Sequence, residues 1–552
     1  MISASAFLLV LTLAQAVPPG SHASPVPTDS NPKGTAVIKG RVTAAETGRP
    51  LRRARVTIQG DALITPRSTS TNVRGEYELR ELPAGRYQIR VQRSGYLPIG
   101  YGQRRSTEPA KPFDVADGQA FEKLDFALLR TAVISGRVVD ETGEALSGVR
   151  VWTMRQEYYR GRRRLVPAGH HATTDDTGQY RVLGVPPGEY VLMGLLREIW
   201  KAGPERHTFG YAQTYFPGTA RAADAVRVKV AIGQEVPNTD FALVPERAGT
   251  ISGTATGPDG APLTGASVSL SFELTGPNGG GMFMGITGAT VAADGSWRMP
   301  DVAPGEYRVS VSTAERNRSP ARASRMVQVQ GDVDGVTLVA DYGGTITGEV
   351  VTDTGEALPS SANQMRVAAE SLAPDARPMA FGSSDLNGVV GSDGRFRVSG
   401  VLGPSMVRVL SLPDGWALKS VERGDRDVVE APIELRGGET ADVRIVITNR
   451  FPEIIGRIVD DRGNPAEGTV LLFPSDSAKW FDTTALRMSR PDQSGVFRME
   501  TVRPGEYLAV ALEALESWQI NDPEFLEALR SRAARVTVGE GTVVALRDLR
   551  VR

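Results

Sequence analysis

The chain has 552 residues, 40% of them apolar and 23% charged, with 63 Lys and Arg set against 64 Asp and Glu. That apolar content can fill several packed cores, which excludes global disorder, and a formal charge of −1 excludes a molecule-wide field that would draw nucleic acid or an acidic membrane. Cysteine is absent, so disulfides, thiolate catalysis, cysteine zinc sites and a lipid-bearing cysteine are excluded as well.

The first 23 residues read as an export signal. Ala6 to Ala14 form a short apolar core, followed by small residues at Ala16, Ser21 and Ala23 that suit a signal peptidase, although no Lys or Arg precedes the apolar run. The run is too short to span a bilayer, and no later stretch approaches the ~20 apolar residues a spanning helix needs. Residues 24–34 read as a flexible leader. The expected location is therefore the periplasm, the cell surface or the extracellular space.

From residue 35 onward one pattern recurs five times. A strand with a central glycine reads Val37-Ile38-Lys39-Gly40-Arg41-Val42, then Val133-Ile134-Ser135-Gly136-Arg137-Val138, Thr250-Ile251-Ser252-Gly253, Thr345-Ile346-Thr347-Gly348-Glu349-Val350 and Ile454-Ile455-Gly456-Arg457-Ile458-Val459. The marker glycines stand roughly a hundred residues apart, the size of a small domain and not of a solenoid repeat. In copy two, Asp140 and Gly143 sit three apart, where a type I turn wants Asp first and Gly fourth, and Asp175 and Gly178 repeat the spacing. Pro187-Gly188-Glu189-Tyr190 then predicts a turn with Gly at the positive-φ position and the tyrosine ring inward; Gly85, Gly305 and Gly505 hold the same place in copies one, three and five. Copy four departs, with Gly403-Pro404-Ser405-Met406.

Short strands with turn signals every ~8–12 residues predict an all-β chain. The expected architecture is a tandem array of about five antiparallel, Ig-like or prealbumin-like β-sandwich domains. They span residues 35–130, 131–246 with a long insert, 247–341, 342–449 and 450–552. One helix is predicted at 523–533, with Asp522 as N-cap, Pro523 in the first turn, and Phe525, Leu526 and Leu529 packed on the fifth domain as a lid.

The strand around Gly136, the Gly143 turn, the approach of Thr173-Thr174-Asp175 to Gly178, and Pro187-Gly188-Glu189-Tyr190 together resemble the carboxypeptidase regulatory-like family, a set of transthyretin-like or prealbumin-like sandwiches. The pattern is clear in copies one, two and five and weaker in three and four. The resemblance implies a non-catalytic accessory module. Related sandwiches are grouped with carbohydrate-binding-like folds, and similar arrays occur in exported bacterial proteins.

The chain offers little chemistry of its own. A zinc carboxypeptidase would need His and Glu three apart plus a distant His. The only histidines are His22, His170, His171 and His207, and none has a carboxylate three residues on. Adjacent His170 and His171 cannot share a strand face and read as a solvated loop pair. No nucleophile elbow, phosphate loop or dinucleotide fingerprint is present. Asp332-Val333-Asp334-Gly335 is the densest acidic cluster and reads as a turn, not a calcium loop. No catalytic residue, metal or cofactor is expected.

Two features remain as ligand-binding candidates. Tyr158 and Tyr159 precede Arg160-Gly161-Arg162-Arg163-Arg164 in the insert of copy two; rings interleaved with Arg can hold anionic groups, or simply form an exposed hairpin with a solubilising rim. Trp152 has the opposite parity to Val149 and Val151 and so faces away from their core, and Tyr211 and Tyr215 lie in a loop-like segment of the same copy; these rings suit either a sugar platform or packing against a neighbouring domain. Trp297 occupies the core slot of Tyr180. The expectation is an exported, monomeric, non-catalytic binding or scaffold protein with carbohydrate or another envelope protein as partner. The alternatives are an accessory subunit of a peptidase, acting through protein contacts, and a structural spacer.

Overall fold

The computed structural model describes residues 31–103, 108–159, 162–203, 207–275, 281–313, 320–372, 387–413, 415–480, 485–515 and 519–551. The export signal and most of the leader lie outside the described residues. Nearly all regular structure is strand, arranged as two sheets in each copy, with a third sheet in copy two formed by Ile199–Ala202, His207–Tyr211 and Pro245–Arg247. Among the described residues no helix is long and apolar enough to cross a membrane.

Each copy opens on the glycine-marked strand, and alternation decides its inward face. In Ala36–Ala44 the side chains of Ala36, Ile38, Val42 and Ala44 are buried. This strand pairs antiparallel with Glu76–Leu82 on one side and parallel with Ala120–Phe121 and Phe126–Leu128 on the other. The arrangement returns in every copy, for example Gly249–Thr256 between Ser296–Val302 and Val333–Val339. Antiparallel pairs dominate, as the turn spacing predicts. The parallel pair needs no helix, because the chain crosses through the facing sheet and the copy's last strand returns alongside the first in the same direction.

The marker glycines are explained by that crossing. A Cβ on Gly253 would lie 1.9 Å from the Val336 carbonyl oxygen, and one on Gly348 would lie 1.9 Å from that of Val443. Only a residue without a side chain lets the parallel strand pass this closely.

The Asp-to-Gly turns form as predicted. Gly178 donates to the Asp175 carbonyl at 3.0 Å, and the Asp175 carboxylate accepts from the Thr177 N–H and hydroxyl and from the Gln179 N–H. The proline-glycine turns differ from expectation. Gly188, Gly305 and Gly505 have φ of 158°, 159° and 154°, near the extended region and far from the +80° of a type II turn. Each glycine begins a strand. The tyrosine two residues on turns back over it: the Tyr190 hydroxyl donates to the Pro186 carbonyl at 2.9 Å and the Tyr87 hydroxyl to that of Pro83 at 2.8 Å. Their rings point inward as predicted, and Tyr87, Tyr190, Tyr307 and Tyr507 are all buried.

The helix is Pro523–Arg530, shorter than predicted, because the chain must re-enter the sheet at Ala534–Val538. Asp522 caps it, accepting from the backbone of Glu524 at 2.9 Å and Phe525 at 3.4 Å. Leu526 and Leu529 join Leu471, Phe473 and Trp480 in a second core on the outer face of the copy-five sheet. Trp480 donates its indole N–H to the Pro474 carbonyl at 2.7 Å.

The copies do not run as a simple string. Trp152, Met154, Val191 and Met193 of copy two form one continuous apolar cluster with the core of copy three. Copy five touches copy four through Lys479–Glu430 and Lys419–Glu540, copy two through Tyr158 and Glu524, and copy one through a buried ion cluster at Arg490.

Candidate polar cleft and the predicted binding residues

A cleft of about 480 Å³ opens where copy one meets copy five. Its copy-one wall is the outer face of a two-strand ladder, Arg55–Gly60 against Gly85–Gln92, in which Gln59 stands opposite Gln88. Val56, Ile58, Tyr87 and Ile89 point into the core, and strict alternation leaves the two glutamines outside. Asp61 and Arg86 flank them. Copy five contributes Met488, Ser489, Arg490, Arg498 and Glu500. Arg498 is braced by Glu453 at 3.1 Å, and the Ser489 hydroxyl donates to the Arg498 carbonyl at 2.8 Å. The lining thus combines two amides, two carboxylates and three guanidinium groups, and because Arg490 is paired with Glu108 and Glu467 the rest are in near charge balance. Close by, burial of Asp492 is outweighed by hydrogen bonds from the Ser494 hydroxyl and N–H and the Val496 N–H, with Arg86 adding to them, and its carboxyl is held below the usual range.

The binding residues expected from sequence lie elsewhere, and they do not form one platform. Trp152 is 3% exposed, set in the apolar joint to copy three and stacked on His171 with ring centroids 4.3 Å apart. Tyr211 is buried in the copy-two core 4.8 Å from Trp200, and burial, first of all, pushes its hydroxyl up to about 12. Tyr215 is half-buried against the copy-two to copy-three cluster, where burial also raises its hydroxyl. Tyr158 lies in the long hairpin Arg150–Tyr159 and Arg162–Thr173, with the Arg163 guanidinium 5.3 Å from its ring centre. Tyr159 ends the first strand of that hairpin; its side chain lies outside the described residues.

His170 and His171 are strand residues and not a loop pair, because the insert hairpin is long enough to carry them in its ladder. Burial holds His170 below the ordinary imidazole range. Asp332 and Asp334 accept from the Thr250 N–H at 2.8 Å and the Ser252 hydroxyl at 2.5 Å, so both brace the parallel ladder. Among the described residues no group of three His, Cys, Asp or Glu could hold a metal ion. The cleft residues carried no sequence signal: Gln59, Gln88 and Arg498 occupy ordinary outward strand positions.

Three stretches of the chain, residues 37–129, 133–193 and 250–338, match the family model of the carboxypeptidase regulatory-like domain. The three stretches together make up less than half of the chain, and each lies within one of the first three copies. The matches take in copy three, where the turn pattern is weaker, and do not include copy five, where it is clear. No curated protein matches the chain. Among solved structures, the Bacillus anthracis TIE protein is 12% identical over 76% of this chain and 74% of its own, with a TM-score of 0.16. A streptococcal ancillary pilin is 15% identical over 55% and 98%, at 0.20. The minor pilin GBS52 of Streptococcus agalactiae is 16% identical over 38% and 97%, at 0.22.

Proposed function

We propose that this carboxypeptidase regulatory-like array is an exported, non-catalytic binding scaffold of the cell envelope or extracellular space, monomeric, with carbohydrate as its ligand class. Its domains are those bounded at 35–130, 131–246, 247–341, 342–449 and 450–552. The polar cleft between copies one and five supports this reading best. Amides, carboxylates and guanidinium groups each present two hydrogen-bonding atoms in a plane, the geometry that engages neighbouring hydroxyls. Their charge balance suits a neutral ligand, and about 480 Å³ falls within the ~300–1,000 Å³ of small-ligand sites. The test is binding of the full chain to a glycan array and to insoluble polysaccharides. We expect retention on a neutral glycan and at least a tenfold loss in the Gln59→Ala/Gln88→Ala double variant. Failure to bind any glycan in the panel counts against the reading.

A further inference from the structure

The joint between copies one and five is chemically unlike the joint between copies two and three. The latter is a single apolar cluster shared by both copies. The former is built on charge. The Arg490 side chain is 2% exposed, Glu108 3% and Lys111 9%. Arg490 Nη1 stands 3.3 Å from Glu108 Oε2 and donates to the Gly102 carbonyl; Nη2 stands 3.1 Å from Glu467 Oε2, and Nε donates to the Gly468 carbonyl at 3.4 Å. Lys111 Nζ lies 2.7 Å from the other oxygen of Glu467. Glu108 and Lys111 come from copy one, and Arg490 and Glu467 from copy five.

Two properties of this cluster matter. Two of its ion pairs, Arg490–Glu108 and Lys111–Glu467, join one copy to the other, each copy supplying one cation and one anion to the other's opposite charge, while Arg490 also keeps Glu467 and the Gly468 carbonyl within copy five. Each half is also neutral by itself, so on separation both faces hydrate without leaving net charge. The core clusters of copies one and five share no residue among those described, so parting them exposes no continuous apolar surface. A buried polar contact of this kind is specific in register and costs little to lose as a unit, whereas losing one partner strands a buried charge.

We infer that the face of copy five around Arg490 is a docking surface whose partner is copy one of the same chain, and that this docking, together with the Tyr158–Glu524 contact to copy two, latches the five copies into a closed ring. The latch opens and recloses with every copy folded. Closing brings Gln59 and Gln88 up to Arg498 and Glu500, so it assembles the polar cleft; the latch stands whether or not that cleft takes a sugar.

The absence of cysteine makes the test clean. Val73 in copy one and Val543 in copy five are 76% and 64% exposed. Val73→Cys/Val543→Cys in the full chain, spin-labelled, reports the end-to-end distance by pulsed electron resonance. We expect one narrow distribution. Arg490→Ala should lengthen and broaden it, shifting the closed-to-open ratio by about a hundredfold or more, and raise the radius of gyration in solution scattering. Glu108→Arg, from the other copy, should open the ring equally. The melting profile of both variants should retain the transitions of the parent. A broad distribution in the parent, or unchanged distances in both variants, overturns the latch. A narrow distance accompanied by a dimeric mass places copy one of a second chain on the docking surface and overturns the ring.

Discussion

Replacing Trp152 separates packing from ligand binding in one experiment. A buried tryptophan removes roughly 200 Å² from water, worth about 5 kcal/mol at ~25 cal/mol per Å². The Trp152 indole N–H is buried without a hydrogen-bond partner, which takes back about 1–3 kcal/mol. The net loss for Trp152→Ala is therefore about 3 kcal/mol, at the low end of measured Trp→Ala costs in cores. Trp152→Phe keeps an aromatic ring on the joint and removes the orphan donor, so it should cost less than ~1 kcal/mol. For a unit the size of copies two and three, 1 kcal/mol corresponds to about 2–4 °C. Differential scanning calorimetry should show their transition falling by about 6–12 °C in the alanine variant and by no more than ~4 °C in the phenylalanine variant. The multidomain chain will not melt in one step, so that transition must be resolved from the others. A shift below ~2 °C for Trp152→Ala would refute the joint, and together with lost glycan retention would return Trp152 to the role of a binding platform.

Glycine substitutions should divide by mechanism. Gly253→Ala forces a Cβ to 1.9 Å from the Val336 carbonyl oxygen, so the parallel pair must part, at ~3 kcal/mol or more. Gly143→Ala meets open space and bears only its φ of +90°, about 1–2 kcal/mol; urea midpoints of the two variants should rank accordingly. The hydroxyls of Tyr77 and Tyr180 donate to the Leu124 and Thr239 carbonyls at 2.6 and 2.7 Å, and burial, as the largest cause, raises both above the ordinary phenol value of 10.0. A raised folded pKa means the stabilisation is complete below the unfolded value and is lost as pH climbs from about 10 toward the folded one. Tyrosinate absorbance at these two rings should appear only with unfolding. Tyr180→Phe should lose about 1 kcal/mol at neutral pH and show a shallower alkaline decline.

What was legible in the sequence was local. A turn is decided within four residues, so Asp175 and Gly178 declared themselves, and so did the helix cap at Asp522. Strand parity is equally local, and it correctly turned Trp152 away from Val149 and Val151, although it said nothing about what Trp152 would meet. Even local chemistry failed where a longer contact overrode it: Pro187-Gly188 has the composition of a type II turn, but the Tyr190 hydroxyl reaching back to Pro186 draws the glycine into a strand. The parallel pairing of each copy's first and last strands has no short-range code, and its only trace is a glycine whose reason lies some eighty residues away, at Val336 for Gly253. The cleft is a stronger case. Gln59, Gln88, Arg498 and Glu500 are ordinary outward-facing residues until copies one and five meet, and the meeting depends on Arg490 and Glu108, 382 residues apart. In a tandem array, each copy's own sequence specifies its sandwich, but a site built between copies depends on which outer faces touch. On the proposed reading, the residues to mutate are accordingly those at the junctions, not the turn and core residues that reveal the repeat.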